Sequence, residues 1–403
     1  MKISGQDVID RCRRIAEFSE SKPGTTRTFL CPAVHDVHAY LREWMQSLGM
    51  EVCVDSIGNL RGLYRGIDNE RRLLIGSHLD TVPDAGAFDG VLGVVLAIAL
   101  VDALDGQALP FAIEVIGFSE EEGVRFGIPF IGSRALVGRL DDLLGVTDKQ
   151  GTSVADAIRN FRSHPANMAD VLLHPETFAY LEFHIEQGPV LENSGQPLGI
   201  VEAIAGQSRH AITLTGAADH AGTTPMHLRR DALAGIAEWI IEVESEARNI
   251  DGLVATVSSV HSEPQAGNVI AGRVSASLDV RHASDEVRTR ATAHILERAA
   301  SITAKRGLEF HAQRWLEQPA VKMDSELISV AQRAARGAGC QAPSMTSGAG
   351  HDAMIVAEKV PSVMIFVRSP GGISHQPNES VLPDDIELAG SAGLHFVREL
   401  ASK

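Results

Sequence analysis

Five short segments of this chain carry residues suited to metal chemistry. The first, Leu74-Ile75-Gly76-Ser77-His78-Leu79-Asp80-Thr81, is an apolar run ending in His-x-Asp. Residues two apart on an extended chain face the same side, so Asp80 can accept the second imidazole proton of His78. That pairing commonly stands behind a metal-bound histidine; a strand-end histidine with a solvated Asp is the plainer alternative. The second, Asp89-Gly90, precedes an apolar helix-like run, where an Asp serves either as a helix cap or as a ligand. The third, Ser119-Glu120-Glu121-Glu122-Gly123, crowds three acids whose repulsion a cation would relieve, unless the loop is simply solvated. The fourth is His184-Ile185-Glu186-Gln187-Gly188, and the fifth runs from Gly371 through Ser374-His375 to Glu379. Of the sixteen histidines, His35, His38, His164 and His174 lack any such setting and read as ordinary. Together the segments offer three imidazoles and at least two carboxylates. That donor set suits zinc, manganese or similar ions, and its size fits two ions sharing one Asp.

The elements that would carry these residues alternate in character. Helical spacing covers Val34–Leu48, and Leu73–Ser77 reads as a buried strand. Val91–Leu104 reads as a buried helix and Phe111–Phe118 as another buried strand. This alternation predicts an α/β domain with a mixed, mostly parallel sheet and helices on both faces. Functional groups in such sheets gather at the carboxyl ends of the strands, where the motifs above fall. The middle of the chain predicts strands at Gln207–Thr215, Leu253–His261, Arg273–Val280 and Leu308–Arg314. Helices are predicted at Arg230–Ala247 and Glu286–Lys305. That β-α-β-β-α-β order fits a ferredoxin-like α+β unit. Leu327–Gly337 and Asp384–Leu400 then read as helices around a strand at Pro361–Val367. The expected organisation is a catalytic domain of residues 1–206 and 319–403, interrupted by a smaller one at 207–318.

Whole-chain properties narrow the class. A length of 403 residues favours two domains. A formal net charge of −16 argues against nucleic acid and anionic membranes as partners, though local arginines can still hold a small anion. Cys12, Cys31, Cys53 and Cys340 form no C-x-x-C pair and read as free thiols of a reducing cytoplasm. The N-terminal stretch reads as an amphipathic helix without the apolar core of a signal peptide. The longest apolar run, Val91–Leu100, is too short to span a bilayer.

Six motifs in one order resemble the dinuclear metallopeptidase superfamily that includes aminoacylases and ureide amidohydrolases. They are Gly76–Thr81, Glu121–Phe126, His184–Gly188, His220-Ala221-Gly222-Thr223-Thr224-Pro225-Met226, Ser347–Ala353 and Ile373–His375. The resemblance covers nearly the whole chain and is nearest to the carbamoylase branch, within it the allantoate amidohydrolases. Ser208 and His210 depart from that pattern, which more often has Thr and an apolar residue there.

The resemblance implies two divalent ions per subunit, zinc or manganese. His78 and His184 would hold one, Glu122 and His375 the other, with Asp89 between them. Glu121 would be the general acid/base, and Asp80, paired with His78, would count with it among the catalytic residues. The middle domain would be both lid and dimer interface, and its His220 would stabilise an oxyanion in a partner subunit. Arg209, Asn268 and Arg281, with Gln187, Gly350 and His351, would bind a ureide bearing a carboxylate. The implied reaction is hydrolysis of the ureido C–N bond of allantoate to ureidoglycine, ammonia and carbon dioxide. N-Carbamoyl-L-amino-acid hydrolase, ureidoglycolate amidohydrolase and β-ureidopropionase are the neighbouring alternatives. A metallo-exopeptidase is disfavoured by Asn268, Arg281 and Gly348–His351. A ureide-binding sensor is disfavoured by Glu121, which binding alone does not require.

Overall fold

The structure is a computed structural model and describes residues 2–161 and 168–402; His164 lies outside them. The chain divides into two compact units, residues 1–202 with 323–403, and residues 203–322.

In chain order the first unit contributes β1 (Glu51–Val54), β2 (Leu60–Tyr64), β3 (Arg72–His78), β4 (Ala112–Phe118), β5 (Thr177–Ile185) and β6 (Leu198–Ile204). The second contributes β7 (Gly206–Thr215), β8 (Val254–Thr256), β9 (Val260–Glu263), β10 (Arg273–His282), β11 (Glu309–Gln318) and the short β12 (Val321–Lys322). The chain then returns to the first unit for β13 (Ser344–Ser347) and β14 (Ser362–Val367).

The large sheet runs β1-β2-β4-β3-β5-β14-β6. Its centre is parallel, in the pairings β4–β3, β3–β5 and β5–β14. The pairings β1–β2, β2–β4 and β14–β6 are antiparallel, so the sheet is mixed as expected, with antiparallel strands flanking the parallel centre. The physical reason is local. β1 and β2 are joined by a tight turn, which only an antiparallel hairpin accommodates. β1 is half exposed and lacks the continuous apolar run that marks the central strands.

The buried helix Val91–Ala103 is apolar on every side because it packs against the sheet, the N-terminal helix Gly5–Ala16 and the C-terminal helix Pro383–Ala401. Gly93 lets it approach β5 closely, since a Cβ there would lie 2.2 Å from the carbonyl of Phe183. Alternation sends Leu73, Ile75, Val115, Leu181 and Phe183 into this apolar layer. The opposite parity puts His78, Tyr180, Glu182 and His184 on the other face, all buried. Polar chemistry is thereby confined to one face and one end of the central strands.

The second unit has the sheet order β11-β7-β10-β8, antiparallel throughout, with β9 also on β10. Helices Ala232–Asn249 and Asp285–Lys305 pack on it around a core of Ile212, Leu214, Trp239, Val274, Leu278 and Ile295. Their starts are legible: Asp231 accepts from the amides of Leu233 and Ala234, and Ser284 from that of Val287. The single strand expected at Leu253–His261 is two, β8 and β9. The break falls at Ser258–Ser259, where the Ser258 and Ser259 hydroxyls and the Ser259 amide meet the Ser277 hydroxyl and only the Ser259 carbonyl accepts a backbone bond, from the Ser277 amide. Among the described residues, no helix is long and apolar enough to cross a membrane.

Candidate metal centre

Three strand ends and two loops bring the candidate ligands together. His78 closes β3, the acidic loop Ser119–Gly123 follows β4, and His184 lies near the end of β5. The register is parallel, with His78 opposite Phe118 and Phe366 opposite His184, so these ends share one edge. Asp89 stands just before the buried helix, and His375 lies in the loop after β14.

Asp89 is the meeting point. Its Oδ1 lies 3.2 Å from His184 Nε2 and 3.6 Å from His78 Nε2. Its Oδ2 lies 3.2 Å from His375 Nε2, which is 3.8 Å from Glu122 Oε1. Potential ligand atoms fall into overlapping close groups: His78 with Asp89 and His184, Asp89 with Glu122 and His375, and His78 with Glu121 and Glu122. The helix-cap alternative for Asp89 does not hold, because the capping position is Gly90 at φ +67°. A Cβ on Gly90 would lie 2.4 Å from the His78 ring, so this glycine lets the chain pass directly over the imidazole.

Asp80 does more than the His-x-Asp spacing predicts. Its carbonyl lies 3.0 Å and its Oδ1 3.4 Å from His78 Nδ1. Its carboxylate also accepts from the amides of Glu121 at 2.9 Å and Glu122 at 3.0 Å. One side chain thus orients an imidazole and fixes the acidic loop. His184 Nδ1 is similarly held, 2.9 Å from the carbonyl of Ile185. Both imidazoles therefore turn Nε2 toward Asp89.

The electrostatics are those of crowded, buried acids. Burial holds the Glu121 carboxyl well above its ordinary value, with Glu122 and Asp352 adding to the effect. Burial and Asp89 push Glu122 up to about 7. Asp89 goes the other way, because its bonds to His184, His375 and His78 outweigh its burial. His78 and His184 are raised, their carboxylate partners overcoming burial. Imidazoles drawn to one carboxylate among acids reluctant to ionise are the environment a divalent cation relieves, and the donors are those such ions prefer.

Gln187 and His375 both have left-handed backbones, at φ +59° and +58°. Such conformations in residues other than glycine concentrate where function constrains the chain. The Gln187 amide donates to Asp89 Oδ2 at 2.9 Å and to the Ser374 hydroxyl at 3.2 Å. Gly350 is partly exposed, with Phe130 so near that a Cβ would lie 2.8 Å from its ring. His351, expected on the substrate, is only 1% exposed. Its ring packs 4.4 Å from that of His184, and its Nε2 meets the Ser347 hydroxyl at 2.9 Å. The structure thus places it against His184, with Glu182 and His184 as its nearest potential metal-ligating neighbours.

The remaining candidates belong to the second unit. His220 is exposed, bridged to Val269, with Nδ1 accepting from the amides of Gly222 and Thr223. The Asn268 carbonyl accepts from Ala221, so the His220 and Asn268 loops adjoin. Arg209 and Arg281 converge on Asp279, with contacts of 2.8–3.0 Å, and Arg209 also lies over the Trp315 ring. Sequence reasoning did not find Asp279; its place two residues before Arg281, on the same strand face, is the signal that could have. Ser208 and His210, the two departures, point to the opposite, buried face of β7 and leave Arg209 untouched.

The sequence profile of peptidase family M20/M25/M40 matches residues 74–399. An allantoate deiminase of Arabidopsis thaliana is 39% identical over 428 residues, covering 97% of this chain and 81% of that protein. An N-carbamoyl-L-amino acid amidohydrolase of Geobacillus stearothermophilus is 36% identical over 405 residues, covering 99% of each. A hydantoinase/carbamoylase-family amidase from Burkholderia multivorans superposes with a TM-score of 0.94 at 30% identity, covering 100% of this chain and 99% of that one.

Proposed function

The chain belongs to peptidase family M20/M25/M40, and from that premise we propose that it hydrolyses the ureido C–N bond of allantoate, giving ureidoglycine, ammonia and carbon dioxide. The observation that carries the reading is Asp89, whose two oxygens face different partners, His78 and His184 on one side and His375 on the other. Such a carboxylate is built to be shared. In this reading His78, His184 and Asp89 hold one divalent ion, and Asp89, Glu122 and His375 the other, with zinc or manganese as the occupant. Bound there, the ions supply Lewis-acid polarisation and an acidified water.

The chain's own groups do the rest. Glu121, buried and kept basic enough to hold a proton, removes one from the attacking water and delivers it to the leaving nitrogen. Asp80 keeps Glu121 in place through its amide. Arg209 and Arg281, preset on Asp279, offer guanidinium forks to the substrate carboxylate. Asn268 and Gln187 add polar contacts. His220 donates to the oxyanion from a partner subunit. The inserted ferredoxin-like unit, placed by sequence at 207–318, serves as dimer interface and lid in a cytoplasmic homodimer.

Hydrolysis of N-carbamoyl-L-amino acids is the second reading, favoured by a relative that matches this chain over 99% of both lengths. Ammonia release from allantoate, N-carbamoyl-L-amino acids and ureidoglycolate, with the enzyme loaded with zinc or manganese, separates them. Allantoate is expected to give the highest kcat/KM. Turnover of N-carbamoyl-L-amino acids with none of allantoate overturns the first reading.

A further inference from the structure

Glu379 closes the segment that carries His375, and nothing in the reaction above uses it. Its side chain is 5% exposed. One carboxylate oxygen accepts from two successive amides, Phe88 at 2.7 Å and Asp89 at 3.0 Å, almost 300 residues earlier in the chain. The other lies 3.5 Å from the hydroxyl of Ser374. That hydroxyl donates to Asp89 Oδ2 at 2.9 Å. The turn before Asp89 closes tightly over this group, since a Cβ on Gly86 would lie 2.4 Å from Glu379 Cβ.

We propose that Glu379 is a positioning residue for the shared carboxylate, holding the backbone of Asp89 directly and registering it against the His375 loop. The argument is geometric. Asp89 can serve both ligand groups only if its carboxylate presents each oxygen to a different side, which demands a fixed backbone. No regular secondary structure provides that, because Asp89 lies ahead of the helix and its successor Gly90 has a positive φ. Glu379 supplies the constraint from the loop that also carries His375. Without it two buried N–H groups lose their acceptor, and Asp89 is free to swing away from His375. The His78–His184 side keeps two imidazoles, so the His375–Glu122 side loses its ion first.

The proposal rests on the two-ion reading, and its test separates the two. Full-length wild-type, Glu379→Ala and Glu379→Gln proteins are loaded with manganese or zinc and dialysed against graded chelator. Metal per chain is then measured beside the thermal unfolding midpoint. Replacing a group that supports a ligand costs about 10–100-fold in metal affinity. Glu379→Ala is therefore expected to fall to one ion per chain at about 10–100-fold less chelator than wild type. Glu379→Gln, which keeps an acceptor oxygen at the same reach, is expected to retain both. A folded Glu379→Ala that holds two ions as tightly as wild type overturns the proposal. So does Glu379→Gln losing the ion as readily as the alanine variant. If the alanine variant fails to fold, Glu379→Asp, one methylene too short to reach both amides, decides by the same measurement. Wild type that never binds two ions removes the two-ion reading itself, and this proposal with it.

Discussion

Glu121 and Glu122 are neighbours of the same residue type, yet the fold gives them different work. Glu122 lies in a group with Asp89 and His375, whereas among the described residues Glu121 is grouped with His78 and Glu122. Glu121 is buried and Glu122 partly so, and both are anchored through their amides to Asp80. Glu121→Gln preserves that anchor and the ligand set while removing the proton carrier. It is expected to retain metal content and lose about 10²–10⁴-fold in kcat, as read by metal analysis beside steady-state ammonia release; near-normal turnover would falsify the role. A second test at this scale concerns Asp279, which holds two arginines. Its ion pairs are partly exposed and of little worth to stability. Asp279→Asn should thus leave the unfolding midpoint almost unchanged but raise KM for a carboxylate-bearing substrate by roughly tenfold, the cost of arginines no longer preset. An unaltered KM would take the arginine pair out of substrate binding.

At the scale of elements, the site depends on strands ending at the same level and on a helix packed close behind them. The central strands were readable because full burial demands continuous apolar runs, as in Leu73–Ile75 and Val363–Val367. The hairpin β1–β2 and the return strand β6 were not, because short flanking strands leave a weaker pattern. The split between β8 and β9 escaped notice because the Ser277 hydroxyl takes up the Ser259 amide and both serine hydroxyls there, which composition does not reveal. Gly90 shows how an element boundary controls chemistry: it ends the Asp89 turn, begins the helix and clears the His78 ring. Gly90→Ala meets both a positive φ and a ring 2.4 Å away. It is expected to destabilise the protein by about 1–3 kcal/mol and to weaken metal retention. Calorimetry with metal analysis checks both, and a variant as stable and as well loaded as wild type contradicts the role given to this glycine.

At the scale of the whole molecule, the two units carry different parts of the proposed reaction. Residues 1–202 and 323–403 contain every candidate ligand and Glu121, while residues 203–322 contain His220, Asn268, Arg209 and Arg281. If His220 serves a partner's site, inactive His220→Ala and Glu121→Gln subunits should complement each other. Mixed dimers would then assemble one intact site out of two, and a random mixture should recover about a quarter of wild-type ammonia release, since mixed dimers are half of all dimers. Verified subunit exchange without any recovery would place His220 in its own subunit's chemistry or outside it.

The chain's local patterns determined which residue types stand at strand ends, that imidazoles and carboxylates dominate there, and that His78 has a carboxylate two residues on. Neighbours a few residues apart have geometry set by the backbone period alone, so sequence suffices for them. What only the tertiary structure decided is how distant segments meet. The two oxygens of Asp89 divide between histidines from β3 and β5 on one side and from a C-terminal loop on the other. Two arginines close on one aspartate across paired strands, and His351 turns behind His184. Glu379 reaches back to the amides of Phe88 and Asp89. These contacts follow from strand order, register and the face each side chain takes, which long-range packing selects and no local periodicity records.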